Sequence, residues 1–233
     1  MNLGLIETAR VEDGCVPLWP RHLRRLVASA EVLGLPLPDR LPSAEDIVGS
    51  ARGIAGIAAV RVTMTDAEVR LEPRPVPAVV DGWRATLVPH PSKNDALLAH
   101  KTTLRAQHEM AAALAHAKGY QEALWMDGSG DLREGTITNV FVCLRGRIVT
   151  PTALGDNLLP GIARGCLLDA GMVAGWPIIE GGVRLADLRQ ADEVFVTNAV
   201  RGAVPLWSVE GTELRRGSRW REALGLIFSA TGR

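Results

Sequence analysis

The sequence predicts a mixed α+β chain of two lobes, on three observations. Period-2 strand patterns and 3.6-period helix patterns are interleaved, but never in the strict strand–helix–strand alternation that a doubly wound parallel sheet requires. At 233 residues the chain is long enough for two cores. A stretch of linker composition, Pro89-His90-Pro91-Ser92-Lys93-Asn94, interrupts it in mid-chain. Residues 1–92 are therefore expected to form a small N-terminal α/β lobe and residues 93–233 a larger C-terminal one.

The elements follow in order. Gly4 to Val11 reads as a strand, Asp13-Gly14 as a turn, and Val16 to Leu18 as a short return. Pro20 opens a helix with an apolar stripe of Leu23, Leu26, Val27, Ala30 and Leu33, closed by Gly34, while Arg21, Arg24 and Arg25 fall on its polar face. Ser43 to about Ile54 predicts a second helix. Ala58 to Thr65 and Glu68 to Glu72 alternate as a hairpin, and Trp83 to Val88 as another strand. In the second lobe a helix is expected from about Thr102 to Ala117, with Ala106, Met110, Ala113, Leu114 and Ala117 as its stripe. Strands at Ala123–Met126 and Leu132–Glu134 flank the Asp127–Gly130 turn, and Thr136 to Leu144 reads as one long strand. A turn at Arg145-Gly146 leads to a short strand ending at Thr150. Leu159-Pro160-Gly161-Ile162 starts a helix reaching Gly171. Strands near Trp176–Ile179 and Glu193–Thr197 flank a short helix at Leu185–Arg189, and Ser218–Phe228 is helical.

Composition narrows the function. Basic and acidic residues number 26 each and are interspersed, which argues against an electrostatic surface for nucleic acid or membrane. No apolar run approaches the ~20 residues of a membrane span, and no targeting segment is expected before the first strand. Cys15, Cys143 and Cys166 are odd in number and far apart, as suits reduced thiols in a cytoplasmic protein, and none has metal-ligand spacing.

The chemical candidate is Lys101, in His100-Lys101-Thr102-Thr103. A lysine just before a helix would sit at the positive end of the dipole, and burial there would further favour the neutral amine that Schiff-base chemistry uses. Glu134 lies between a turn and an apolar strand, and Gly161 opens a helix after a proline.

In order and spacing, six segments resemble those of the fold type IV pyridoxal 5′-phosphate enzymes, the class IV aminotransferases and their relatives. They are Glu7-Thr8-Ala9-Arg10; His22-Leu23-Arg24-Arg25-Leu26; His100-Lys101-Thr102-Thr103; Glu134-Gly135-Thr136 with Asn139; Leu159-Pro160-Gly161-Ile162; and Thr197-Asn198-Ala199. The resemblance covers nearly the whole chain. It implies a D-amino-acid-aminotransferase-like fold in a short N-terminal form, because the hairpin that usually precedes the Glu7 strand is lacking. It further implies that Lys101 holds the cofactor covalently and moves protons, that Glu134 pairs with the pyridine nitrogen, and that Arg25 clamps the phosphate. The backbone N–H groups of Ile162 and Ala163, after Gly161, would meet that phosphate at a helix N-terminus. Leu159 would pack on the ring, and Asn198 and Ala199 would add donors. Ala163 and Ala199 stand where many relatives carry hydroxyls, and Leu104 stands where an asparagine is common, so weaker cofactor binding is expected.

Within the family, the opening Gly4-Leu5-Ile6-Glu7-Thr8, the Asp95–Arg105 run and the Arg61–Leu71 hairpin are most similar to 4-amino-4-deoxychorismate lyases. These release pyruvate and form 4-aminobenzoate for folate biosynthesis, including as domains fused to aminodeoxychorismate synthase. A branched-chain or D-amino-acid transaminase is the alternative, and Tyr120-Gln121-Glu122 reads equally well that way. A non-catalytic relative is disfavoured by the retention of Lys101 and Glu134. Thr8, Arg10 and Arg201 are the candidates for gripping a small-molecule substrate. A homodimer with its site at the lobe junction and a functional link to the synthase are the expected associations. No metal, nucleic-acid or membrane partner is expected.

Overall fold

The computed structural model describes residues 3–66, 68–78, 82–90, 95–153 and 158–229. Contacts divide the chain into two compact units. The first runs to Ala78 and takes back His100–Leu104; the second holds the strand from Trp83 and the chain from Arg105 to Ser229. The expected boundary at 92/93 falls among residues 91–94, outside those described. The observed division differs because the Trp83 strand is hydrogen-bonded within the second unit.

The first unit consists of β1 (Leu5–Val11), α1 (Trp19–Leu33), α2 (Ala44–Ser50), β2 (Ala58–Met64) and β3 (Val69–Pro75), its strands forming an antiparallel sheet in the order β1-β2-β3. Alternation sends Ala9, Val11, Val60 and Val62 to one face, where they pack with Trp19 and Ile47. Full burial of such side chains contributes roughly 2 kcal/mol each. Pro20 stands in the first turn of α1 and left-handed Gly34 (φ 63°) closes it, as the sequence implies. Its buried stripe, however, is Trp19, His22, Leu26, Ser29 and Ala30. Two polar side chains thus lie on the inner face. Ser43 caps α2 through a reciprocal box with Asp46 (3.2 and 2.8 Å), but the helix stops at Ser50, short of Ile54. The expected return strand at Val16–Leu18 is a turn, with only an isolated Glu12–Cys15 bridge before it.

The second unit carries β4 (Trp83–Pro89), a 3₁₀ turn at Ala96–Ala99, α3 (Ala106–Ala117), β5 (Glu122–Met126), β6 (Leu132–Gly135), β7 (Asn139–Leu144) and β8 (Arg147–Thr150). There follow α4 (Ile162–Ala170), β9 (Met172–Val173), β10 (Trp176–Glu180), α5 (Leu185–Gln190), β11 (Glu193–Asn198), β12 (Gly202–Val209), β13 (Thr212–Glu213) and α6 (Arg219–Ser229). Strands β4, β5, β6, β7, β11 and β12 pair in succession, and β12 returns to β4, so the described strands close a ring that leaves no free edge among these six. One face gathers Leu124, Leu132, Val140, Val142, Val194, Val196, Val204 and Leu206. On the other, Phe141 and Phe195 are register partners with rings stacked at 5.1 Å.

Three departures from the sequence reading matter. No strand was expected at β12: it is buried on both faces and interrupted by Pro205, so it carries no alternation to read. Helix α3 starts at Ala106, and its buried residues are Ala111 and Ala115, packed with Ala123 and Trp125, whereas Met110 and Leu114 are exposed. In an alanine-rich helix, close approach to a strand selects the smallest side chains, which the expected stripe of larger ones overlooked. Finally, the long strand expected from Thr136 begins only at Asn139; Gly135–Thr138 is a turn closed by Gly135 N–H donating to the Thr138 carbonyl at 2.7 Å.

Candidate functional site

In the first unit the site residues are arranged about β1. Alternation turns Glu7 toward α1, where it is 1% exposed. One turn of α1 separates His22 from Arg25, so both reach it: His22 Nδ1 lies 2.6 Å from Oε2, and Arg25 donates from Nε to Oε1 (2.8 Å) and from Nη2 to Oε2 (2.6 Å). Burial alone would push the Glu7 carboxyl up; the Arg25 and His22 charges and hydrogen bonds outweigh it and bring it down to about 2. The fork of Arg25 is thus held from behind by a carboxylate that stays ionised. Nε2 of His22 is buried and makes no hydrogen bond to any described residue.

The segment carrying Lys101 lies along the other edge of β1. Leu5 and Thr102 form an antiparallel bridge, Ile6 N–H donates to the Lys101 carbonyl (2.8 Å), and Thr103 N–H donates to the Gly4 carbonyl (2.9 Å). Gly4 is needed here, because a Cβ would stand 2.5 Å from the Met64 carbonyl oxygen. Lys101 is therefore held by strand-like pairing, and the expectation that it opens a helix is corrected: α3 begins five residues later, and the dipole argument does not apply. Lys101 is half-buried. The opposite face of β1 carries Thr8 and Arg10, with Arg61 the register partner of Thr8. Arg10 is tied to Glu12 (3.1 and 2.6 Å).

In the second unit Glu134 sits in a β-bulge. Leu124 pairs with Gly135 and Met126 with Leu132, so Arg133 and Glu134 together oppose Trp125. A bulge re-aims a side chain. Glu134 is 7% exposed, and each oxygen has a donor: Leu159 N–H at 3.0 Å and Asn139 Nδ2 at 3.3 Å. The same amide nitrogen of Asn139 donates to the Leu159 carbonyl (3.1 Å). Asn139 also explains Gly161, whose Cβ would stand 1.9 Å from Asn139 Oδ1. Gly161 is the N-cap of α4, with no side chain capping the first turn, so the helix opens with backbone N–H groups at Ile162 and Ala163. Across the β11–β12 turn, Asn198 Oδ1 accepts from Val200 N–H (3.1 Å) and Arg201 N–H (2.8 Å), which occupies its carbonyl in shaping the Ala199–Arg201 turn. The Arg201 guanidinium lies 5.6 Å from the centroid of the Trp83 ring.

Thus the structure assembles Glu134, Leu159, Gly161, Ile162 and Ala163 around Asn139 in one unit, and Arg25 and Lys101 about β1 in the other. Glu7, His22 and Asn139 stand in the segments that carry the resemblance with no role implied for them, and no sequence signal points to Arg61. The His22–Arg25 spacing facing an inward strand glutamate was the available signal; register on a sheet face left none for Arg61. Among the described residues no group of three or more His, Cys, Asp or Glu could hold a metal ion.

Comparison with known proteins identifies the family and the fold. A "Putative branched-chain-amino-acid aminotransferase" of Methanocaldococcus jannaschii is 28% identical over 231 residues, covering 89% of this chain and 79% of the relative. The pyridoxal-phosphate-bound form of a hypothetical aminotransferase from Mycobacterium tuberculosis superposes with a TM-score of 0.85 at 23% identity, covering 98% of this chain and 88% of that one. A "Putative 4-amino-4-deoxychorismate lyase" from Legionella pneumophila superposes with a TM-score of 0.81 at 20% identity, covering 98% and 91%. Both superpositions speak to the fold. The family profile "Amino-transferase class IV" matches residues 4–209, and the chain accordingly belongs to the class IV aminotransferases, fold type IV enzymes that use pyridoxal 5′-phosphate.

Proposed function

We propose that the chain is a 4-amino-4-deoxychorismate lyase that releases pyruvate and forms 4-aminobenzoate. The observation that carries this branch is the polar face of the first sheet. Thr8 and Arg10 lie on β1, the strand that pairs with the Lys101 segment, Arg61 is the register partner of Thr8 on β2, and the Arg61 side chain has no ion-pair partner among the described residues. A substrate with two carboxylates finds hydroxyl and guanidinium donors there. A branched aliphatic side chain would instead strip water from them without replacing their hydrogen bonds.

The residues present fit the cofactor: α4 opens uncapped, Gly161 leaves room for Asn139, and Glu134 is a buried carboxylate oriented from two sides. In this reading Arg25 and the N–H groups of Ile162 and Ala163 hold the phosphate, Ala199 adds a backbone donor, Leu159 packs on the ring and Glu134 meets the ring nitrogen. When bound, the cofactor supplies an electron sink for a carbanion at the substrate carbon bearing nitrogen. The Lys101 amine would hold the cofactor and would take the proton from that substrate carbon. Glu134 keeps the ring nitrogen protonated, and Glu7 with His22 keeps the Arg25 fork aimed.

A homodimer belongs to this reading; the exposed apolar side chains Met110, Leu114 and Ile137 offer surface for a second copy, and an active monomer in sedimentation would exclude it. No helix among the described residues is long and apolar enough to cross a membrane. The free thiols Cys15, Cys143 and Cys166 suit a cytoplasmic setting, and an aminodeoxychorismate synthase is the class of enzyme that must supply the substrate.

The second reading is an aminotransferase acting on branched-chain or D-amino acids, favoured by the names of the curated relatives. One experiment separates the two. The loaded enzyme is given aminodeoxychorismate without any keto acid, and 4-aminobenzoate and pyruvate are followed. Sustained release above the uncatalysed rate supports the lyase. Inactivity, with conversion to the pyridoxamine form by amino acids, transfers the assignment to the aminotransferase.

A further inference from the structure

Glu122 opens β5 and is 1% exposed, yet it takes no part in the chemistry above. Apart from the N–H of its neighbour Ala123, the donors to its two oxygens come from one short segment. Oε1 accepts from Ala123 N–H (2.9 Å), Thr136 N–H (2.9 Å) and Thr136 Oγ1 (2.5 Å), while Oε2 accepts from Thr138 Oγ1 (2.8 Å) and, more weakly, Ile137 N–H (3.4 Å). Desolvation pushes its carboxyl up, against the hydrogen bonds from Thr136 and Thr138. Burying a carboxyl is costly, and a packed apolar residue could close a hairpin more simply. What this carboxyl holds is the Gly135–Thr138 turn.

That turn separates two residues of the site. Glu134 and Asn139 are register partners on either side of it, and their side chains hydrogen-bond. On the β5 side, the bulge frees Glu134 from regular pairing, so something else must define its direction. Gly135 lets the carboxyl in: a Cβ there would stand 2.2 Å from Thr138 Oγ1 and 2.7 Å from Glu122 Cδ. The outer side of the turn is tied as well, since Arg105, four residues after Lys101, donates from Nη2 to the Thr136 carbonyl (2.8 Å). Thr136 is thereby bound through its N–H, hydroxyl and carbonyl to two charged side chains.

We propose that Glu122 is a positioning residue for Glu134: by collecting the donors of Thr136–Thr138 it locks the turn that sets Glu134 and Asn139 against each other, and so aims the carboxylate meant for the ring nitrogen. The inference rests on the role proposed for Glu134. Its Oε atoms need no contact with substrate or cofactor; Glu122 acts through the turn.

The test compares Glu122→Gln with Glu193→Gln. Glu193 is equally buried and also accepts backbone hydrogen bonds, from Arg219 and Trp220 N–H (2.9 Å each) at the start of α6, but it has no hydrogen bond to the turn. Thermal midpoint, the dissociation constant of pyridoxal phosphate from quenching of tryptophan fluorescence, the absorption maximum of the bound cofactor, and kcat and KM are measured for each. Both variants lose stability. Only Glu122→Gln lowers kcat, by roughly tenfold or more at unchanged KM, with a displaced absorption maximum and weaker cofactor binding. Thr136→Val reproduces the loss and Thr136→Ser, which keeps the hydroxyl, rescues it; this pair decides the matter if Glu122→Gln does not fold. Equal kcat and cofactor affinity in Glu122→Gln and Glu193→Gln, or equal impairment in the two Thr136 variants, overturns the positioning role. Glu134→Gln runs alongside: if it leaves kcat, absorption and cofactor affinity at wild-type values, the role of Glu134 itself fails, whatever Glu122 does.

Discussion

Replacing Glu7 with glutamine probes the candidate residues of the first unit most directly. The carboxyl is 1% exposed and accepts three strong hydrogen bonds from His22 and Arg25. A fall from 4.5 in the unfolded chain to about 2 in the folded one corresponds to about 3 kcal/mol of stability carried by the ionised form. Because the folded value is the lower one, this contribution is complete above about 4.5 and is lost as pH falls toward about 2. Glutamine keeps the shape but removes the charge that Glu7 sets against the half-buried Arg25. Urea unfolding at pH 7, followed by circular dichroism, should show a loss of roughly 3 kcal/mol. Repeating it from pH 6 to pH 2.5 should show the variant losing less than the wild type, since one acid-labile group is gone. Cofactor affinity should fall as well, as the Arg25 fork loses its support. Stability within about 0.5 kcal/mol of wild type at pH 7 would refute the reasoning and make the ion pair energetically neutral.

Three further outcomes are expected. After loading with cofactor and reduction with borohydride, mass spectrometry of peptides should find the label on Lys101; a label on Lys93 or Lys118 would remove Lys101 from its role. Glu134→Ala should lower kcat roughly tenfold to a hundredfold, the worth of one charge-assisted hydrogen bond, with a smaller change in cofactor dissociation constant; unchanged turnover would show that its carboxylate does not meet the ring nitrogen. Gly161→Ala should cost about 1–3 kcal/mol in unfolding experiments and weaken cofactor binding, since its Cβ must displace Asn139. Wild-type values in that variant would mean that Asn139 can turn away at no cost.

The sequence by itself determined most of what is local. Pro20 and Gly34 bound α1, Ser43 with Asp46 begins α2, and Arg145-Gly146, both at positive φ (52° and 79°), makes the tight turn into β8; each signal is read within a few residues of where it acts. The ordered segments from Glu7 to Ala199 likewise carried the resemblance to the family whose profile matches residues 4–209. Tertiary structure decided the rest, through groups far apart in the chain. Lys101 is positioned by hydrogen bonds to β1, about a hundred residues before it, and not by the helix that follows. His22 and Arg25 stop being two residues of a helix surface once a strand delivers Glu7 beneath them. The run from Thr136 to Leu144 looks like one strand because it is rich in β-branched and apolar residues, yet its first three residues are drawn into a turn by a carboxyl that precedes them by more than a dozen positions. Glu134 is released from regular pairing by a bulge that exists only where β5 meets β6. Alternation and capping report the local backbone; where a buried charge finds its partners depends on which strands meet.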